Sequence, residues 1–442
     1  MVTSATDAAE SDARAIAAIL ARFVKYHPDR IDLSLDRMHR LLSDLGNPHD
    51  NLPPAIHIAG TNGKGSTTAF LDAALTAAGL RVSAYTSPQL VRYAERYRIA
   101  GEIISDADLR ALFEEIDERN AGRPITEFEI TTAAAFLAMA RKQADIILLE
   151  TGLGGRFDAT NVVSQPAATI ITPVGYDHME FLGDTLAAIA GEKAAIQKPD
   201  VPSIVAPQAP EAAAVIHAFA EAVGAPLYRA GLEWQLQAMA DGGGRYIRGE
   251  KQWHLPRPGL PGRHQLDNAA LAAACLDVCG FPGIDQGAIK TGIARARWPG
   301  RMQRLTSGPL VRSMPTGSEI WLDAAHNPMG AAALADALDE LQAHDPRPQH
   351  LVFAMLEDKD VVEFLAPFTP RIVGATAVPI DDDPRAMSVR ELVAAAESAG
   401  VIVQSAPSVA DALSRIPRSP TPARVLVTGS HLLVGAALRA NS

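Results

Sequence analysis

The chain of 442 residues predicts an α/β protein in two parts. A larger N-terminal domain has a mostly parallel sheet, and a smaller C-terminal domain is Rossmann-like. Three observations predict this. Continuous runs of Ile, Val, Leu and Ala recur along the chain, as in strands buried on both faces. They alternate with segments of helical periodicity, and that alternation implies parallel pairing through crossover helices. The length exceeds what one ordinary core serves, and an arginine-rich stretch with a Pro-Gly break at 294–305 interrupts the alternation.

The elements follow in order. "PAIHIAG" (54–60) is a short apolar run leading into a glycine turn, and "KGSTTAFLDAALTAAGL" (64–80) is a helix stopped at Gly79. "RVSAYTSP" (81–88) is a second strand. "DADLRALFEEIDERNAG" (106–122) and "TEFEITTAAAFLAMARKQ" (126–143) are helices. "ADIILLE" (144–150) and "AATIITP" (167–173) are buried strands. "DTLAAIAGEKAAIQKP" (184–199) reads as a helix ended by Pro199, and "PSIVAP" and "EAAAVIHAFAEAVG" supply another strand and helix. The stretch 230–261 is Gly-rich and Trp-containing with short alternation, which predicts an antiparallel excursion. "RHQLDNAALAAACLDVCG" (263–280) returns to helix. Beyond 305, "EIWLDAA", "HLVFAM", "RIVGATAV", "VIVQSA" and "RVLVTG" alternate with helices. The expected domains are 1–297, a hinge at 298–305, and 306–442.

Bulk composition narrows the function. A net charge of −11 argues against a nucleic-acid surface. No apolar run reaches the length of a membrane span. The polar, acidic opening predicts no secretory leader, and so a cytoplasmic protein. Cys275 and Cys279 lie in a helical pattern and read as small thiols in a reducing compartment.

The chemistry concentrates in "AGTNGKGS". The common phosphate-loop spelling is G-x-x-x-x-G-K-[ST]. Here the first-glycine position holds Ile58, Gly63 and Lys64 fit, Gly65 follows the lysine, and the hydroxyl comes late, at Ser66. Between a strand and a helix, backbone N–H groups, glycines and a lysine make a mononucleotide loop. A glycine-rich turn with a chance lysine is the competing reading. ATP chemistry needs Mg²⁺, which takes oxygen ligands. Glu150 ends a buried strand just before "TGLGGRFDATN", where an open sheet places its ligand chemistry. A structural ion pair is the alternative there.

The run Gly60, Thr61, Asn62, Gly63, Lys64, Gly65 and Ser66 resembles the nucleotide loop of the folylpolyglutamate synthase family, within the Mur-type ATP-dependent amide ligases. Cell-wall members of that group put Thr or Ser directly after the lysine. The resemblance runs over nearly the whole chain, from "RIDLSLDRMHRLL" (30–42) to "EDKD" (357–360) and "TGSHLLVG" (428–435). It implies a P-loop-type ATP-binding domain and a second, glutamate ligase domain. It implies metal binding at Ser87 in "TSPQL", at Glu150 and at His178 in "GYDHMEFLG", with two Mg²⁺ sites. It implies that Lys193 in "IAGEKAAI" is carbamylated and helps hold the second metal. Asn268 matches an ATP contact near the base, Arg301 in "WPGRMQ" a phosphate contact, and Asp323 with His326 in "LDAAHNP" the remaining ATP contacts. Thr126, Glu127, Phe128 and Glu129, with Phe157, Asp158 and Ala159, match stretches that bind dihydropteroate. Two departures stand out: "TSGPLVRSMPTGSE" (306–319) is longer than usual, and "EFEI" (127–130) replaces a common Tyr-Phe-Glu.

The expected activity is therefore ATP-dependent joining of L-glutamate to dihydropteroate and to reduced folates through an acyl phosphate, by a monomer acting on small molecules. Catalysis rests on Lys64, Glu150, His178 and Lys193. The rivals are a folylpolyglutamate synthase alone, a cell-wall Mur ligase, and a nucleotide-dependent switch. The loop starts at Gly60, too early for a preceding UDP-sugar domain, and Glu150, His178 and Lys193 together favour an enzyme.

Overall fold

The computed structural model describes residues 5–27, 33–381, 383–417 and 419–442. Residues 30–32 of the family-like opening segment lie outside the described residues. The chain forms two compact units, Met1–Arg257 with Asp267–Ala296, and Pro258–Leu266 with Arg297–Ser442.

Eight strands build the main sheet of the first unit. They are β1 (Ala55–Ala59), β2 (Val82–Tyr85), β3 (Tyr97–Ile99), β4 (Glu102–Ile103), β5 (Ile146–Glu150), β6 (Ala168–Ile171), β7 (Ser203–Val205) and β8 (Leu227–Arg229). Their order is β4-β3-β2-β5-β1-β6-β7-β8. The run from β2 to β8 is parallel, and β3 and β4 add an antiparallel hairpin at one edge. Strands β1, β2, β5, β6 and β7 are buried throughout, which is why they read as unbroken apolar runs. The chain leaves β1 by the helix Lys64–Ala77 toward β2, on the β5 side, and later places β6 on the opposite side. Connections that part in this way open a ligand crevice beyond the carboxyl ends of the strands. Ile58 is level with Glu150, and Ala59 with Ile171, so the glycine loop, Glu150 and Thr172 emerge side by side.

The helical pattern over 184–199 becomes a helix only over Leu186–Ala194. Lys198 precedes Pro199 and is forced out of the helical region. The Gln197 side-chain amide lies 2.9 Å from the Ser203 hydroxyl, which folds the turn back onto β7.

The excursion is a three-stranded antiparallel sheet, β9 (Gln235–Ala238), β10 (Gly244–Arg248) and β11 (Lys251–Leu255). Trp234, Tyr246 and Trp253 pack successively, with ring centroids 6.1 and 5.6 Å apart. Asp277, on the helix His264–Cys279, clamps this sheet. Its buried carboxylate accepts from the Tyr246 hydroxyl at 2.8 Å and pairs with Arg248 and Lys251. Burial alone pushes this carboxyl up, but the three donors outweigh burial and hold it below the usual range. Removing it strands three polar partners. Both cations are partly solvated, which limits the loss. Asp277→Ala should therefore destabilise the fold by about 2 kcal/mol in urea unfolding.

The second unit holds a six-stranded sheet of β12 (Gln303–Leu305), β13 (Glu319–Leu322), β14 (Gln349–Phe353), β15 (Gly374–Ala377), β16 (Val403–Ser405) and β17 (Arg424–Thr428). Its order is β12-β13-β17-β14-β15-β16, with β12 antiparallel and the others parallel. Buried Arg424 pairs with Glu319 at 2.9 Å, and Glu319 also accepts from the Trp321 indole at 3.1 Å. The long segment 306–319 folds in part as the short helix Pro309–Ser313. Among the described residues no helix is long and apolar enough to cross a membrane.

Candidate active site

Strand β1 runs directly into Gly60, and Gly63, at φ +88°, turns the chain into the helix Lys64–Ala77. The first N–H groups of that helix have no partner within it, so they are available to an anion. The loop is anchored from the neighbouring strand. Thr61 N and Asn62 N donate to Pro173 O at 3.0 and 3.3 Å, and Gly175 N donates to Thr61 Oγ1 at 3.0 Å. This anchor binds the loop to the segment that leads to His178. Gly65 and Ser66 are buried at the helix start.

Asn268 belongs to the same constellation. A Cβ on Gly63 would lie 2.6 Å from Asn268 Oδ1, so the amide rests against the turn. Any side chain at Gly63 meets both a left-handed backbone and that amide. Gly63→Ala should weaken the binding of an anion at this loop about tenfold or more, measured by calorimetry with inorganic triphosphate.

Two lysine amines converge on one carbonyl. Lys64 Nζ donates to Gly60 O at 3.0 Å and to Thr61 O at 3.2 Å, and Lys193 Nζ donates to the same Gly60 O at 3.1 Å. Lys193 reaches in from the helix Leu186–Ala194 and is buried. Burial, with Lys64 adding repulsion, brings its amine down to about 7, against the opposing pull of Asp177 and Asp158.

Glu150 ends β5 and is buried. Ser87 follows β2 at a cis Ser87–Pro88 peptide. The loop after it is folded back by Glu95, whose carboxylate accepts from Leu90 N, Val91 N and Arg92 N at 2.9, 3.2 and 3.0 Å. His178 opens a short helix from a left-handed backbone at φ +51°, with half-exposed side chain 3.9 Å from Asp177. Among the described residues no three His, Cys, Asp or Glu side chains cluster as a metal site. The donor set expected from the sequence is different in kind, a hydroxyl, a carboxylate, an imidazole and an amine. An ammonium at Lys193 would repel a cation, so this set suits a divalent metal only when that nitrogen is uncharged or carries an added acidic group.

The loop 151–161 lies between two helices. A Cβ on Gly152 would fall 2.4 Å from the Phe128 ring, and one on Gly155 would fall 2.6 Å from Glu192 O. Phe128 thus packs on the backbone beside Glu150, and Phe157 projects with 41% of its surface exposed. The other residues expected to bind substrate are occupied locally. Thr126 caps the helix Glu127–Arg141 and exchanges hydrogen bonds with Glu129, which is buried and pairs with Arg37 at 3.0 Å. Glu127 accepts from the Tyr93 hydroxyl at 3.1 Å. Asp158 is buried, and its carboxylate is taken up by Gly152 N, Leu153 N and Thr160. Its side chain ties the loop to itself. Ala159 is buried beside it.

Within the second unit, Asp323 accepts from Met302 N and Ala325 N, both at 2.9 Å, which pins the turn bearing Arg301 to the end of β13. His326 Nδ1 lies 3.0 Å from Ala324 O. Sequence reasoning missed Asp177, whose charge reaches Lys193, although its place next to His178 was a visible signal. It also missed Arg37, whose partnership with Glu129 has no sequence signature.

Residues 58–276 match the Mur ligase middle domain, and residues 300–431 match the Mur ligase glutamate ligase domain. The chain is 38% identical over 378 residues to the dihydrofolate synthase/folylpolyglutamate synthase of Bacillus subtilis, spanning 82% of this chain and 84% of that protein. It is 36% identical over 399 residues to the enzyme of the same name from Mycobacterium tuberculosis, spanning 83% and 78%. Escherichia coli FolC in complex with DHPP and ADP superimposes with a TM-score of 0.84 at 33% identity, covering 96% of this chain and 97% of that one. The Yersinia pestis bifunctional folylpolyglutamate synthase/dihydrofolate synthase complexed with AMPPNP and Mn ion superimposes equally well, at 0.84 and 33% over 96% and 97%.

Proposed function

This chain belongs to the dihydrofolate synthase/folylpolyglutamate synthase family of Mur-type ligases, and from that premise we propose how its own residues do the work. It is an ATP-dependent amide ligase. The carboxylate of dihydropteroate, or the terminal glutamate γ-carboxylate of a reduced folate, attacks the γ-phosphorus of ATP. The bond to ADP breaks and an acyl phosphate forms. The amine of L-glutamate then attacks the acyl carbon, losing a proton and expelling phosphate. No protein nucleophile is needed, so the protein's part is positioning and charge neutralisation.

The observation that carries this reading is the convergence of Lys64 and Lys193 on Gly60 O at a helix N-terminus. One lysine comes from the loop and the other lies 133 residues beyond Gly60. Lys64 and the N–H groups at the helix start favour a polyphosphate, and Lys193 would bring a metal-holding group to the same carbonyl. Asn268, lying against the turn, supports its assignment to the nucleotide. Arg301, Asp323 and His326 remain assigned to ATP on the family match. When bound, Mg²⁺ neutralises phosphate charge, and Ser87, Glu150, His178 and Lys193 are the residues that would hold two such ions. An amine with a pKa of about 7 is largely neutral just above that pH. It can add CO2, lose a proton and become an anionic carbamate, which supplies the oxygen ligand that a hard cation prefers.

Phe128, packed on the loop after Glu150, and Phe157, within it, are assigned to the acceptor acid. Glu127 stands where the family commonly has an aromatic residue, and the second reading is a folylpolyglutamate synthase only. Free Cys275 and Cys279 fit a cytoplasmic enzyme, and we take it to act as a monomer. Purified protein with ATP and Mg²⁺ should release ADP only when an acid and L-glutamate are both present, first with dihydropteroate and again with tetrahydrofolate. Turnover of the folate alone would select the second reading, and ADP release indifferent to both acids would reject the ligase.

A further inference from the structure

His57 is a fully buried histidine in β1, three residues before the nucleotide loop, and nothing described so far uses it. Its Nε2 lies 2.8 Å from Thr160 Oγ1. Thr160 in turn hydrogen-bonds Asp158 through both its backbone N–H, at 3.0 Å, and its hydroxyl. The other Asp158 oxygen accepts from Gly152 N at 2.8 Å and Leu153 N at 2.9 Å. One carboxylate therefore joins the start of the loop to its end.

The proton count fixes the direction of this chain. Burial pushes the Asp158 carboxyl up, against the hydrogen bonds from Thr160, Leu153 and Gly152; as a carboxylate it only accepts, so the single Thr160 hydroxyl proton goes to it. Thr160 Oγ1 must then accept from His57, which places the imidazole proton on Nε2. The buried Nδ1 has no hydrogen-bond partner, which suits a bare ring nitrogen and not an N–H. Burial, with Lys198 adding a smaller repulsion, brings the imidazolium pKa down to about 3, in keeping with a neutral ring.

We propose that His57 is a positioning residue for the acceptor acid: by donating through Thr160 to Asp158 it sets the loop that follows Glu150 and presents Phe157. The proposal rests on the assignment of that loop to the acid. It gives β1 two duties, since its end delivers the phosphate loop and its middle fixes the neighbouring acid loop. A histidine that merely filled space would be felt most by the phosphate loop to which it is directly joined. A donor to Thr160 would be felt by the acid instead.

The test separates the two ring nitrogens. A Gln amide nitrogen reaches the place of Nε2, and an Asn amide reaches only that of Nδ1. His57→Asn should raise the KM for dihydropteroate about tenfold, the worth of one hydrogen bond in a charged chain. The KM for ATP should stay near wild type, while the thermal midpoint falls with the loss of a buried hydrogen bond. His57→Gln should restore the dihydropteroate KM to within about threefold. Equal losses for ATP and acid, or equal damage from Gln and Asn, would overturn the proposal. Should His57→Asn fail to fold, Thr160→Val carries the same reading, because it removes the relay hydroxyl without touching β1. Phe157→Ala is the control on the loop itself. An unchanged dihydropteroate KM in that variant would reject the loop's assignment to the acid, and the proposal with it. A raised KM in Phe157→Ala with none in His57→Asn would reject the relay alone.

Discussion

Lys64→Ala will release ADP at least about a hundredfold more slowly than the wild type while unfolding at the same temperature. The side chain is half-buried and folds back on Gly60 O and Thr61 O, so it belongs to the loop and not to the core. What it offers is a point charge that a phosphate can take over from those carbonyls. Alanine is a strong helix former and starts the helix Lys64–Ala77 at least as well, which leaves the fold intact. The loss should fall on kcat as well as on the KM for ATP, because charge builds on the transferred phosphoryl group. Turnover near wild type would remove this loop from the mechanism.

Lys193→Met should cost as much activity and yet make the protein harder to unfold. The Lys193 amine is buried and titrates at about 7 in the fold, because of burial first and Lys64 second. In the unfolded chain it keeps its proton up to about 10.4. Between those values the unfolded chain binds more protons, so the amine makes stability rise with pH across that window. Below pH 7 the fold carries a buried ammonium at full penalty. Methionine removes that penalty and fills the same space. The variant's gain in thermal midpoint should be largest at pH 6 and shrink as pH climbs toward 10. Such a gain with lost turnover is the mark of a residue kept for function against stability. A variant less stable than wild type at pH 6 would mean that Lys193 serves packing instead.

The parts legible in the sequence are those written in consecutive residues. The phosphate loop, its strand and helix, Glu150 at a strand end, and the antiparallel excursion all follow from local pattern, and the structure forms each of them. What was not legible depends on residues far apart in the chain. The β3–β4 hairpin is too short to carry a periodicity. The helix ends at Ala194, five residues before Pro199, and beyond it Gln197 meets Ser203 of the next strand, a contact no local pattern shows. Asp158 lies in a motif that points to substrate, yet its oxygens face Gly152, Leu153 and Thr160. His57 is the one polar residue in an apolar strand. Its meaning comes from Thr160, which folding alone brings to it.

The central claim is that the acid's own carboxylate oxygen attacks ATP and leaves in the phosphate. Oxygen transfer measures it most directly. Dihydropteroate carrying the heavy oxygen isotope in its carboxylate, turned over with ATP, Mg²⁺ and L-glutamate, should yield phosphate with one heavy oxygen for each amide formed. Unlabelled phosphate alongside new amide would contradict the acyl phosphate and the account built on it.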